Sequence, residues 1–145
     1  MADNKFKYQE WIDELVAEGC TMPPLYAPDD MKACRFAFSS PDQQNHIPQY
    51  VRNPKRMLQD LGKGKADTSL LALSCFASNS QAEIFFSNLQ KAFKNARTSI
   101  GDALAEGILT NEDGLKTTTS PNGHFDFYEY AQCDLNKSFK ITKRL

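Results

Sequence analysis

Tyr8, Trp11, Ile12, Leu15 and Val16 recur at helical spacing, with Glu10, Asp13, Glu14 and Glu18 between them, so the chain opens on an amphipathic helix that Gly19 closes. Thr21 to Pro28 carries prolines that remove backbone donors and predicts an extended connector. From Ala33 to Phe38 the sequence alternates, Cys34, Phe36 and Phe38 facing one way and Ala33, Arg35 and Ala37 the other, as in a half-buried strand ended by Ser39-Ser40-Pro41-Asp42. Gln43 to Val51 is polar, broken by Pro48, and reads as irregular. Asn53-Pro54 starts a short helix, Asn as N-cap and Pro at the first helical position, that stops at Gly62.

The apolar run Ser69 to Ser74 predicts an interior strand. Ser80-Gln81-Ala82-Glu83 has capping-box spacing ahead of Ala82, Phe85, Phe86, Leu89, Ala92, Phe93 and Ala96, the plainest helix in the chain. Ile100 to Leu109 suits a short helix or a strand with a bulge at Gly107, and the strand is favoured. Asn111 to Gly114 and Ser120 to Gly123 are turns. His124 to Tyr130 alternates again, and Ser138 to Thr142 predicts a last strand that buries Phe139 and Ile141. The expected fold is α+β: a single layer of mixed or antiparallel sheet with about four or five strands, packed on one side by the Tyr8 and Ser80 helices, with a short basic helix at its periphery.

Composition narrows the function classes. A chain of 145 residues, 41% of them apolar and ten of them Phe, fits one globular domain spanning residues 1–145. Seventeen Lys and Arg against eighteen Asp and Glu leave a net charge of −1, so only a local patch could draw nucleic acid or another polyanion, and nucleic-acid binding stays open. No basic segment followed by an apolar run opens the chain and no stretch is long enough to span a bilayer, which reads as a cytoplasmic protein without a membrane partner. Cys20, Cys34, Cys75 and Cys133 form no CxxC pair and are expected as buried free thiols. With His46 and His124 the only imidazoles, no metal site is expected, and whether the chain takes a cofactor stays open.

Three groups of residues could carry chemistry. His124 and Asp126, two apart in a strand, share a face about 7 Å apart along the chain and could work as an acid–base pair in a nuclease or phosphodiesterase, while Glu129 falls on the opposite face. Arg52, Lys55, Arg56, Lys63 and Lys65 form a cationic cluster opposed by Asp60 and Asp67 that could receive phosphates or an acidic partner. Gly62-Lys63-Gly64-Lys65 lacks the spacing and terminal hydroxyl of a P-loop.

The third group is Arg35 in the first strand, Ser74 closing an apolar strand before a helix, and Glu129 in a late strand. This order loosely resembles the Arg, Ser and Glu arrangement of ADP-ribosyltransferases. The resemblance implies an NAD site in which the cation meets the pyrophosphate, the hydroxyl orients a ribose, and the carboxylate stabilises oxocarbenium charge. The sequence departs from that pattern at Cys75, which interrupts the Ser-Thr-Ser run, and at Phe127, which stands where a Glu or Gln precedes the last Glu. In the absence of a specific catalytic motif the leading expectation is a small intracellular interaction module that docks a protein or a phosphate-bearing ligand through Arg52, Lys55 and Arg56. The ADP-ribosyltransferase-like enzyme is its first alternative and the His124–Asp126 hydrolase its second.

Overall fold

The computed structural model describes residues 5–40 and 45–145. In it α1 (Gln9–Ala17) precedes β1 (Met31–Ala37), and two short helices, α2 (Gln49–Arg52) and α3 (Pro54–Gly62), lead through a 3₁₀ turn at Thr68–Leu71 into β2 (Leu73–Phe76). After α4 (Asn79–Ala92) and α5 (Ala96–Ser99) come β3 (Ala103–Leu109), β4 (Gly114–Lys116), β5 (His124–Glu129), α6 (Leu135–Ser138) and β6 (Lys140–Arg144). The strands form one six-stranded sheet in the order β4-β5-β2-β1-β3-β6, every neighbouring pair antiparallel. The fold is α+β, and the sheet is larger than the four or five strands expected. No helix among the described residues is long and apolar enough to cross a membrane.

Alternation along the strands sorts the core into two faces. Cys34, Phe36, Phe76 and Leu104 face α4 and pack on Ala82 and Phe86, with Phe36 contacting the rings of Phe76, Phe85 and Phe86. Further along the same face Tyr128 packs with Leu71 and Ala72 under α1 and α3, where Ile12, Leu15, Tyr50 and Met57 meet. The two main helices thus lie on one side, as the periodicity predicts. The strands form the single sheet layer expected, and its other face is also covered: Ala33, Leu73, Cys75, Ala105, Leu109, Phe125 and Phe127 pack beneath Cys133, Leu135 and Phe139. Burying a Leu or Phe side chain contributes about 1.5–3 kcal/mol, so each face supplies a substantial part of the stability.

Several boundaries differ from the sequence reading for local physical reasons. The run at residues 69–74 splits, because the Asp67 side chain accepts from Ser69 N–H and winds Thr68–Leu71 into a 3₁₀ turn, delaying the strand to Leu73. The cap of α4 is Ser78, not Ser80: its hydroxyl accepts from Gln81 N–H. Asn53 caps α3 as its spacing predicts, accepting from Arg56 N–H. The strand irregularity lies between Leu104 and Ala105, not at Gly107. Phe139 is buried as the residue closing α6, whereas Ile141 is exposed on β6, all five of whose residues are exposed. Part of the expected turn at Ser39 to Asp42 and of the irregular segment at Gln43 to Val51 lies outside the described residues; the end of that segment forms α2.

Gly101 has a structural duty. Its φ is +151°, and a Cβ there would lie 2.6 Å from the Ala37 carbonyl oxygen and 2.9 Å from the Ala37 nitrogen. Gly101→Ala is expected to lower the unfolding free energy by about 2 kcal/mol, seen as a lower urea midpoint at unchanged slope. An unmoved midpoint contradicts this close approach.

Candidate functional site

The helices leave one strip of the sheet uncovered. Along β2, Phe76 belongs to the α4 cluster and Ala72, just before the strand, to the α1 and α3 cluster, and Ser74 between them is exposed although β2 is an interior strand. Strand pairing sets Ser74 opposite Asp126 and Phe76 opposite His124, so alternation gathers Ser74, His124 and Asp126 on this face. The Ser74 hydroxyl is 2.7 Å from His124 Nε2, and Asp126 Oδ1 is 3.6 Å from the same nitrogen. Which of the two donates depends on the ring tautomer: Ser74 donates when Nε2 is bare and accepts when Nε2 carries the proton. The Phe76 ring meets the imidazole edge-on at 5.5 Å and fixes its plane. Thr117 anchors Asp126 from the side, its hydroxyl accepting from the Asp126 N–H at 2.9 Å. Burial raises the Asp126 pKa, the neighbouring His124 opposes that rise, and Asp67 adds to it.

Both Ser74 and Asp126 address one imidazole nitrogen. This differs from a serine-protease triad, in which the carboxylate holds the nitrogen opposite the one facing the nucleophile. Here the hydroxyl and the carboxylate both face Nε2.

Beside Ser74 the sheet opens. β1 pairs with β2 only at Cys34 and Phe76, and past that point the Ser74 carbonyl is left without a strand partner. Arg35 fills the place, Nη1 donating to the Ser74 carbonyl oxygen and Nε donating to His46 Nδ1 at 3.0 Å. The guanidinium is buried and its hydrogen bonds here go to neutral acceptors. His46 adopts a left-handed backbone, φ 61°, and its ring packs edge-on against Phe139 at 5.7 Å. Burial, and then the Arg35 charge, push its pKa down to about 3.

Arg35 and Glu129 lie on the face opposite the Ser74 hydroxyl, by the same alternation that unites Ser74 with Asp126. The register therefore brings Ser74 to His124 and Asp126 and does not place its hydroxyl beside Arg35 and Glu129. Glu129 is buried, with its Oε2 accepting from Lys7 Nζ at 2.9 Å, and among the described residues its Oε1 has no hydrogen-bond partner within bonding geometry. Burial raises the Glu129 pKa more than Lys7 and Arg35 lower it. Lys7 also donates to the Cys133 carbonyl at 2.6 Å.

Compared with known proteins, the chain matches no family model, no curated protein and no solved structure.

The side chains of the cationic cluster differ in their surroundings. The Arg52 guanidinium lies over the Phe38 ring at 5.5 Å, near enough to Arg35 that burial and this like charge both lower its pKa. Arg56 reaches Asp60 at 3.6 Å, and Asp60 accepts from the Tyr50 hydroxyl. Lys55, Lys63 and Lys65 are exposed along α3 and the turn after it. The four cysteines are free, and burial pushes the Cys34 thiol up to about 12 and Cys75 up to about 11. Among the described residues no group of His, Cys, Asp and Glu is arranged to hold a metal. His46 and Lys7 are the two participants that sequence reasoning missed: Lys7 meets Glu129 across most of the chain, Arg35 and His46 stand 11 positions apart, and no local pattern announces either contact.

Proposed function

We propose that the protein is a binding domain for a phosphate-bearing ligand, seated on the open strip around Ser74 and His124. The observation that carries the reading is the exposed Ser74 hydroxyl bonded at 2.7 Å to His124 in the uncovered middle of the sheet. With Nε2 protonated the ring donates to the Ser74 oxygen, which frees the Ser74 O–H to donate to an anionic oxygen, and the Asp126 carboxylate stands beside the same ring nitrogen. Arg35 adds a buried positive charge close behind Ser74, and a buried charge is screened far less than a surface one. Lys55, Lys63 and Lys65 extend the positive field along the neighbouring helix and favour encounter with an anion.

Titration with inorganic phosphate and with phosphoserine, followed by NMR of the His124 ring and the Ser74 amide, tests this reading. Saturable shifts at both positions are expected, with affinity weakened about tenfold in Ser74→Ala and in His124→Ala and reduced by added salt. Shifts confined to Lys55, Lys63 and Lys65, or none at all, would refute it.

A second reading is favoured by the same short contact. The Ser74 hydroxyl can pass its proton to His124 Nε2, leaving an imidazolium beside the Asp126 carboxylate, which is the acid–base step a phosphodiesterase requires. Release of nitrophenolate from bis(p-nitrophenyl) phosphate, lost in His124→Ala, would favour turnover over binding alone.

A further inference from the structure

We infer that the groove between α1 and α3 is a docking site for a protein segment that presents a bulky apolar side chain flanked by lysine or arginine. The two helices join below through Ile12, Leu15 and Met57 and part above that contact, leaving an open groove of about 280 Å³ lined by Glu10, Trp11, Glu14, Pro54, Met57 and Leu58. Its size falls just under the roughly 300–1,000 Å³ of sites that enclose whole small molecules, which suits a side-chain anchor better than a cofactor. The walls are apolar: Leu58 is 65% exposed beside the half-buried Trp11, and Pro54 offers no backbone donor.

The rim selects the charge of the occupant. Glu10 and Glu14 stand one helical turn apart, a like-charge spacing that disfavours the helix, and among the described residues neither carboxylate has an ion-pair or side-chain hydrogen-bond partner. Asp13 and Glu18 add to the acidic side, and Gln9–Ala17 contains no Lys or Arg. On the facing helix Arg56 is already directed to Asp60. A cation arriving beside an apolar anchor would relieve the repulsion between Glu10 and Glu14 while Leu58 and Trp11 lose contact with water.

Trp11 is the only tryptophan, so its fluorescence reports this groove directly. A set of synthetic Lys/Leu peptides, with the leucines at helical and at alternating spacings, is titrated into the full chain beside matched Glu/Leu peptides. The expected result is a saturable change in Trp11 emission with at least one Lys/Leu peptide and none with the Glu/Leu series. Affinity should fall about tenfold in the double variant Glu10→Gln, Glu14→Gln, fall again in Leu58→Asp, and decline with salt. Both variants alter exposed side chains, and circular dichroism melting checks that they remain folded. Equal response to the two peptide series, no response to either, or an unchanged affinity in the folded Leu58→Asp protein would overturn the inference. Phosphate titration at Ser74 is read at a different place, so failure of one site leaves the other standing.

Discussion

Lys7→Met should lower the unfolding free energy by about 3 kcal/mol at about pH 8 and by far less near pH 4, because it strips a buried carboxylate of its cation. Lys7 reaches Glu129 at 2.9 Å; the Glu129 side chain is 2% exposed and that of Lys7 28%, so the pair is shielded at the carboxylate and only partly hydrated at the amine. The partial hydration places the expected loss at the low end of the roughly 3–5 kcal/mol typical of breaking a buried pair. The pH dependence follows from the direction of the Glu129 shift. Burial raises its folded pKa above the unfolded carboxylate value, so the native state holds the proton more tightly and loses stability as pH rises through the folded pKa. Lys7 limits that loss in the parent chain. Without it the folded pKa rises further, so the gap between parent and variant opens as pH rises through the parent's folded Glu129 pKa and widens until it passes that of the variant. Urea denaturation of both proteins at several pH values reads the gap, and the double variant Lys7→Met, Glu129→Gln should recover much of the lost stability at high pH. A gap that does not vary with pH would show that lost packing, not the uncompensated carboxylate, is responsible.

His46 is expected to make the fold acid-sensitive in the opposite sense. Its folded pKa of about 3 lies below the unfolded histidine value, so the unfolded chain takes up the proton first and stability falls as pH drops from about 6.5 toward 3. The loss should be on the order of 2 kcal/mol by about pH 5. His46→Asn isolates the effect. Asparagine tolerates the left-handed backbone at this position and can offer an amide oxygen to the Arg35 Nε–H, but it does not titrate. The variant should therefore unfold with a much flatter dependence between about pH 7.5 and 5 than the parent. Superimposable pH profiles would place the histidine outside the buried cluster.

These two residues show where reading the chain stops. Helix α1, strand β1 and the Asn53 cap were legible because each is written in side chains a few positions apart, and the pairing of His124 with Asp126 followed from strand alternation alone. Ser74 joined them only through the register between β2 and β5, which a sequence does not print. The same register turned the Ser74 hydroxyl away from Arg35 and Glu129, a separation that order along the chain could not reveal. Strand β4 and helices α2 and α6 escaped because three or four residues hold too little periodicity to stand out from loop sequence. Leu70 and Leu71 misled in the other direction: an apolar run looks like a strand until Asp67 is seen to bend its start into a 3₁₀ turn.

The sheet also ends in a way that bears on how copies of the protein meet. On one flank β4 is only three residues long, and Tyr26 bridges to Lys116 across its outer side. On the other, β6 lays its backbone open but studs it with Lys140, Lys143 and Arg144. A second molecule trying to add itself there, strand to strand, would bring like charges together, so growth into fibrils is discouraged at the very border where hydrogen bonding would otherwise invite it.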